Sequence, residues 1–170
     1  FLAMGADPDL LVRDHEFSDP VAPLRVAVRH RNLEFLRLLL LQGASVSVHL
    51  GRTLLQEALA IGWLQGAEFL LACGTDASQL DDTALDALVR APAVLEVALS
   101  AGANPAHALV WSILADQIES VRLTLSRVTE VEHARLHGIT PLEAAIMADA
   151  PRYFRLLMQL GANPNDFFER

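Results

Sequence analysis

One short turn, written five times, constrains this chain more than any other feature of its sequence. Each copy places a glycine between an apolar stretch and a small polar stretch: MGADPD at 4–9, QGASVS at 42–47, CGTDAS at 73–78, AGANPA at 101–106 and LGANPN at 160–165. The glycines stand at 5, 43, 74, 102 and 161, so the steps between them are 38, 31, 28 and 59 residues. A recurrence of about 30 residues is typical of stacked repeat proteins, and it fixes the architecture before any single residue is interpreted.

The last step is twice the others, which predicts a degenerate copy near residue 130. The stretch SRVTEVEHARLHGITPLEAAI supplies it, with Val128 in the place of the glycine. From Val128 to Gly161 the step is 33 residues, in line with the other copies. We therefore expect five complete copies, and we interpret Phe1 to Met4 as the last turn of an earlier one.

Within a copy, the apolar residues follow helical spacing. In LRVAVRHRNLEFLRLLLLQG, residues 24–43, they recur at three- and four-residue intervals on both sides of a polar break, RHRN. This pattern predicts two short helices joined by a turn. Proline or threonine near the first helix start and glycine after the second helix are the expected end signals. A helix pair of this size cannot bury its own apolar face, so the copies must stack on one another.

Two stretches resemble ankyrin repeats. GITPLEAA at 138–145 is similar to the T-P-L-H-x-A box of that family, and residues 22–44 follow its two-helix pattern. Weaker boxes lie at 52–59, 82–89 and 106–113, so the resemblance covers essentially the whole chain. The sequence departs from the pattern because the proline of the box is kept only at Pro23 and Pro141. The histidine of the box is replaced throughout, by Arg25, Gln56, Asp86, Val110 and Glu143.

The resemblance implies an all-α ankyrin-repeat solenoid of stacked helix-turn-helix pairs with short or irregular β-hairpin fingers, where a finger is the connection between one pair and the next. We expect a single domain over residues 1–170, with a partial repeat at 1–4, repeats at about 5–42, 43–73, 74–101, 102–127 and 128–160, and a tail at 161–170. In that tail, Phe167 and Phe168 either fold back over the last helix pair or belong to a disordered end.

The same resemblance implies a function. Ankyrin repeats of this kind act as non-catalytic protein–protein interaction modules, and they bind a protein partner through the concave surface that the fingers and first helices line. An alternative is a targeting or regulatory ankyrin domain of a larger enzyme or effector whose catalytic part lies outside this chain. A third interpretation is self-association through the apolar side of the first repeat, so we expect a monomer or weak self-association.

Composition and motifs argue against other classes. A net charge of −8 and a pI of about 5.1 do not suit a nucleic-acid partner, which requires a basic surface. The apolar runs are too short to cross a membrane, and no secretory leader opens the sequence, which favours a cytoplasmic location. Cys73, the single cysteine, excludes an internal disulfide. We expect no enzymatic activity, cofactor or metal site, because His133 and His137 lie in a finger rather than on one face of a helix.

The copies differ most in their fingers. From the turn glycine to the proline position of the next box, the first finger is enlarged by about five residues relative to the fifth, whereas the fourth spans only the six residues from Gly102 to Ala108. The insertion VRDHEFSDPVA at 12–22 is a candidate contact element, with Phe17 either an exposed anchor or packed on Leu10 or Leu11. The short fourth finger predicts a gap, the notch, in the row of fingers.

Candidate binding residues follow from the positions that vary most in the family pattern, the finger tips and the ends of the first helices. Ile61 and Leu114 share such positions, although irregular packing would bury them. Arg25, Arg29, Arg31 and, one helix later and on the opposite face, Arg37 form a basic cluster that either meets a carboxylate-rich peptide or is a solvated surface. The candidate protein-binding residues are Phe17, Arg25, Arg29, His30, Arg52, Asp81, Asp82, Arg90, Leu136, His137, Ile139 and Met147.

Overall fold

The computed structural model of the chain describes residues 7–11, 22–45 and 53–165. Within these residues lie ten α-helices and one 3-10 helix, Val131–His133. The α-helices are α1 (Pro23–Arg29), α2 (Leu33–Leu41), α3 (Leu54–Ala60), α4 (Leu64–Ala72), α5 (Asp82–Val89), α6 (Pro92–Ser100), α7 (Pro105–Leu114), α8 (Ile118–Leu125), α9 (Pro141–Met147) and α10 (Pro151–Gln159). They form five successive pairs, so the predicted all-α repeat fold is confirmed.

The chain divides into two compact units, which are described separately. The first unit, Phe1–Thr75, holds α1 to α4, and the second unit, Asp76–Arg170, holds α5 to α10. In the first unit α1 packs on α2 and α3, and α3 packs on α4. In the second unit α7 packs on α5, α8 and α9, while α6 packs on α8 and α10 on α9. Within each unit, first helices therefore contact the first helix of the next repeat. The single-domain arrangement stays a prediction.

Short polar side chains cap four of the five first helices, and α1, which follows Ala22, has no side-chain cap. Thr53 and Thr140 each form a reciprocal cap, in which the threonine hydroxyl accepts from a backbone N–H three residues on and the side chain there, Gln56 or Glu143, accepts from the threonine N–H. Asp81 and Asn104 cap α5 and α7 in the simpler way. Because helices of seven to ten residues are marginal alone, these caps fix where each helix starts.

The recurring glycine ends the second helix of a pair. Gly43, Gly74, Gly102 and Gly161 have φ angles of 87°, 86°, 100° and 89°, the left-handed region that glycine adopts without strain. After Gly43, the N–H of Ala44 donates to the carbonyl of Leu39, and the same bond recurs from Ala103 to Ala98 and from Ala162 to Leu157. These bonds satisfy carbonyls that the helix end leaves open. The turn seen in the sequence is therefore the stop signal of four of the five second helices.

The leucine of each box forms the centre of the core. Five equivalent leucines are buried: Leu24, Leu55, Leu85, Leu109 and Leu142. Small polar residues enter the core only with a partner, since Ser112 donates to the carbonyl of Ala108 and Thr124 to that of Ser120. No helix in the described part of the chain is long and apolar enough to cross a membrane.

Candidate functional site

The fourth connection is as short as the sequence indicates. Helix α6 ends at Ser100 and α7 begins at Pro105, which leaves residues 101–104 to join them. Asn104 uses its side-chain oxygen to accept from the N–H groups of Ala106 and His107, so α7 starts directly after the turn. Four residues are too few to form a protruding finger. The first turns of α5 and α7 therefore have no finger between them.

The fifth connection is long and ends in a tight hairpin. Leu136 and Ile139 exchange backbone hydrogen bonds of 3.0 and 2.8 Å across the two central residues His137 and Gly138. The φ angles of these two residues are 50° and 84°, so the turn is of the I′ type, which favours asparagine and glycine. A left-handed conformation at a residue other than glycine costs about 1 to 2 kcal/mol. Leu136 is buried and anchors the hairpin, while His137 is exposed at its tip.

His137 reaches back across the notch to the third repeat. Its ring nitrogen Nε2 lies 3.1 and 3.0 Å from the two carboxylate oxygens of Asp82, at the start of α5. The indole N–H of Trp111 in α7 donates to the same carboxylate over 3.4 Å. We call Asp82, Trp111 and His137 the Asp82 cluster; it joins three consecutive repeats. The side chains of His137 and Asp82 are 69% and 48% exposed, so a partner can reach both.

The stretch of chain around Asp82 is acidic. Four aspartates lie between positions 76 and 86. Asp81 caps α5 by accepting from the N–H of Ala84 at 2.9 Å, and Asp86 forms an exposed ion pair with Arg90 at 2.8 Å. The hydrogen bond to Asp86 raises the pKa of Arg90. Met147, at the end of α9, is exposed, and Ile139 is half-buried.

In the first unit, the basic cluster is used internally. Arg25 donates to Glu57 of the next repeat at 2.7 Å, and Arg29 donates to the other oxygen of the same carboxylate. Glu57 is buried, and Arg31 donates to the carbonyl of Ile61. These contacts correct the expectation for Arg25, whose side chain is largely buried and joins two repeats. Arg29 remains partly exposed, and His30 is exposed at the end of α1.

Several predicted residues have other placements. Leu136 is buried in the core of the second unit, so its side chain packs the hairpin and does not face a partner, contrary to the expectation. Phe17 and the rest of 12–21 lie outside the described residues, as does Arg52. His133 pairs with Glu130 at 2.9 Å. Among the described residues, no group of three or more His, Cys, Asp or Glu side chains is placed to hold a metal ion.

The sequence did not single out Trp111 as a binding residue. It sits two positions after the box leucine, where the other repeats have Val26, Glu57, Ala87 and Ala144, and so reads as a packing residue. It is half-buried against the core of the second unit, which agrees with that reading, but its N–H is directed at Asp82. The short fourth finger was the sequence feature that could have indicated Trp111, because no hairpin covers the start of α7.

Paired short helices, glycine-ended second helices and buried box leucines define a helical repeat protein. The crystal structure of the human ASB11 ankyrin repeat domain is similar to this chain, with a TM-score of 0.63 and 24% sequence identity over 84% of this chain and 70% of that one. No protein-family model matches the chain. The chain therefore has the ankyrin-repeat fold, as its boxes predicted. Ankyrin-repeat domains serve in general as protein–protein interaction modules, and the fold is typically non-catalytic.

Proposed function

We propose that this chain is a non-catalytic interaction module whose second unit binds a protein partner through its fingers and first helices. The Asp82 cluster is the observation that carries the proposal. It gathers an acid, an indole and an imidazole from three repeats onto one exposed surface. Tryptophan is enriched among the residues that dominate binding energy, and a mixture of polar and apolar groups is typical of protein interfaces.

The backbone at His137 supports the same proposal. A glycine or asparagine at this position would give the same hairpin with less strain, yet the chain has a histidine whose ring is mostly exposed. Residues in sparsely populated backbone conformations cluster at binding and catalytic sites. The exposed contact with Asp82 offsets only part of the strain, because exposed polar pairs contribute about 0 to 1 kcal/mol. An external ligand for the ring gives the histidine a reason to be there.

The chemistry of the site indicates the kind of partner. Asp82 can accept hydrogen bonds from a cationic side chain, and its aspartate-rich surroundings favour positive charge. The indole of Trp111, which donates to Asp82, offers apolar area for an adjacent residue. We expect a partner segment that presents arginine or lysine next to an apolar side chain. Two pairs of predicted residues remain candidate contacts. Asp81 and Arg90 are in the second unit, close to Asp82 in the chain, and Arg29 and His30 are in the first unit.

The experiment compares partner binding by the wild type, His137→Gly and Asp82→Asn. Partners captured on the immobilised wild type are identified and produced pure, and their dissociation constants are measured by calorimetry. His137→Gly suits the turn, so it removes the imidazole without unfolding the hairpin. We expect each substitution to weaken binding at least tenfold.

Glu119→Gln is the matched control. Glu119 lies in the first turn of α8, as Asp82 does in α5, and is also exposed, but it belongs to a second helix. Glu119→Gln removes one negative charge, as Asp82→Asn does, but outside the proposed surface. It should therefore leave the affinity for the partner unchanged. Equal affinity for the wild type, His137→Gly and Asp82→Asn would refute this binding surface.

A further inference from the structure

The two ring nitrogens of His137 have different surroundings. Nε2 lies 3.1 and 3.0 Å from the two carboxylate oxygens of Asp82. In the described part of the chain, Nδ1 has no hydrogen-bond partner. Because the side chain is 69% exposed and Asp82 lies on the side of Nε2, the ring is held at one nitrogen and open to a partner at the other.

The contact with Asp82 determines which ring nitrogen carries a hydrogen. A carboxylate only accepts hydrogen bonds, so the hydrogen between the two groups belongs to Nε2. In a neutral imidazole the second nitrogen then has a lone pair and is a hydrogen-bond acceptor. In the charged ring both nitrogens carry a hydrogen, and neither can accept. Nδ1 of His137 is therefore an acceptor only while the ring is neutral.

The fold holds both groups in place. Leu136 is buried, and it exchanges two backbone hydrogen bonds with Ile139 around the turn that carries His137. The indole N–H of Trp111 donates to Asp82 over 3.4 Å, so the finger and α7 both orient the carboxylate. Groups that are already oriented lose less conformational freedom when they bind a ligand. Nδ1 is thus a preorganised acceptor beside an acidic side chain.

We propose that His137 binds the partner in its neutral form, with Nδ1 accepting a hydrogen bond from a partner N–H while Nε2–H donates to Asp82. This inference rests on the proposed function, because it assigns the atoms through which the Asp82 cluster recognises a cationic segment. Protonation of the ring removes the acceptor and adds a positive charge, which repels a partner arginine or lysine. Affinity for the partner therefore falls as the pH falls through about pH 8 to pH 5, the range in which imidazole groups become charged.

The elements around His137 carry other charged groups, and two of them are histidines. These groups are Asp81, Asp86 and Arg90 on α5, His107 on α7, Glu130, His133 and Arg135 in the finger, and Glu143 on α9. His133 pairs with Glu130 at 2.9 Å, and His107 lies one turn before Trp111. Because both histidines titrate in the same range as His137, the doubly substituted variant His107→Gln/His133→Gln is the control, and it should keep the pH dependence of the wild type.

The test compares the wild type with His137→Asn. Asparagine is favoured in this turn, its amide can donate to Asp82 and accept from the partner, and it does not change charge with pH. Calorimetry measures the dissociation constant of the purified partner protein at about pH 8 and about pH 5.5 at constant ionic strength. We expect the wild type to lose at least about fivefold in affinity between these conditions and His137→Asn to change by less than about twofold. Titrating groups of the partner affect both proteins equally, so the difference belongs to His137.

Ring-nitrogen NMR of the ¹⁵N-labelled protein gives a second measurement that needs no partner. The resonances of His137 are those that His137→Asn lacks. At about pH 8 the free protein should have a hydrogen on Nε2 and none on Nδ1. Adding the partner should then shift the Nδ1 resonance toward that of a hydrogen-bonded nitrogen, which a purely structural histidine would not show.

Failure of this inference is distinguishable from failure of the proposed function. Equal pH dependence in the wild type and His137→Asn, or a hydrogen on Nδ1 rather than Nε2 in the neutral ring, would overturn the inference while binding through this surface stands. Wild-type affinity that rises toward low pH would overturn it as well, because the charged ring would then be the binding form. Equal affinity of the wild type, His137→Gly and Asp82→Asn would refute the surface itself and this inference with it.

Discussion

Glu57 and Asp82 are both acids on first helices, and both receive donors from another repeat, yet their environments are opposite. Glu57 is buried and holds Arg25 and Arg29 of the repeat before it. Asp82 is half exposed and holds His137 from a finger two repeats further along the chain. The same kind of residue at the same kind of surface is structural in the first unit and accessible in the second. Water can solvate the carboxylate of Asp82 when its partner leaves, whereas it has little access to the carboxylate of Glu57.

This difference determines which site can exchange its partner for a ligand. Removing one member of a buried ion pair leaves a charge without compensation in a medium of low polarity. Removing one member of an exposed pair costs little, because water solvates the charge that remains. We therefore expect the two carboxylates to respond very differently to substitution, and the following variants test that expectation.

The largest effect is expected from Glu57→Gln. It leaves two guanidinium groups without their carboxylate, and we expect the free energy of unfolding of the first unit to fall by about 3 kcal/mol, the lower end of the range for broken buried pairs because Arg29 is partly exposed. Trp63 reports on this unit in urea titrations of a Trp111→Phe background. Asp82→Asn, the matched change, should lower the stability of the second unit by less than about 1 kcal/mol. Similar losses would show that the two acids do not differ as proposed.

A second pair of variants separates the two arginines. The side chain of Arg25 is 15% exposed and that of Arg29 is 42% exposed, although both contact Glu57. Arg25→Ala should lower the free energy of unfolding by about 2 kcal/mol, since it also removes the buried stem of the side chain. Arg29→Ala should lower it by about 1 kcal/mol or less. The same fluorescence titrations measure both, and an equal loss would mean that burial does not set the strength of these contacts.

The sequence predicted the repeats well because they depend on local signals. Box leucines, capping threonines and turn glycines act within a few residues, and those in the described residues lie where the pattern placed them. Glu57 gave no such signal: it occupies a position that is apolar in all four other repeats, and it is buried where two arginines of the previous repeat meet it. Because the position of Glu57 gave no signal, the sequence predicted that the basic cluster is solvated or binds a ligand. In the structure, Arg25 and Arg29 pair with Glu57.

Two members of the Asp82 cluster, Asp82 and His137, were candidates from the sequence, whereas Trp111 and the arrangement of the three were not. Asp82 and His137 each occupy a variable position of the family pattern, and the notch was visible as a missing stretch of finger. Their contact joins residues 55 positions apart and depends on a tight turn with a histidine in the left-handed region. Nothing local in the sequence states that conformation, since Leu-His-Gly-Ile is compatible with several turns. Leu136 was misplaced for this reason, because the hairpin register that buries it was unknown.

A smaller effect is expected at His137, where stability and binding should separate. His137→Gly relieves the left-handed strain and loses only an exposed contact, so we expect the free energy of unfolding to stay unchanged or to rise by up to about 1 kcal/mol. His137→Val also loses the contact but places a β-branched residue at positive φ, and it should lower stability by about 1 to 2 kcal/mol. Thermal unfolding followed by circular dichroism measures both. A clear loss with glycine would show that the imidazole has a structural role, like that of Glu57.

The smallest effect concerns Asp76, a carboxylate whose partner lies only two residues away. The hydroxyl and the backbone N–H of Ser78 donate to it at 2.7 and 2.9 Å, and these bonds lower its pKa below the ordinary aspartate value. Because the folded-state pKa is lowered, the stabilisation is present above the ordinary pKa and is lost as the pH falls through the folded value. Ser78→Ala removes the stronger contributor, so the pKa of Asp76 should rise toward the ordinary value without reaching it, since the backbone donor remains.

The pKa of Asp76 is measured by following its carboxyl carbon by NMR between pH 2 and pH 6, a range of about two units on either side of the ordinary value. Ser78→Thr keeps a hydroxyl and should keep the pKa low, which controls for a change in the turn itself. Asp76 is exposed and has a purely local partner, so its titration should be the same in Glu57→Gln and in His137→Gly. A shift of the Asp76 pKa in either variant would mean that the turn at 73–78 is coupled to contacts between repeats. The contrast between buried and exposed carboxylates would then be a property of whole repeats rather than of single side chains.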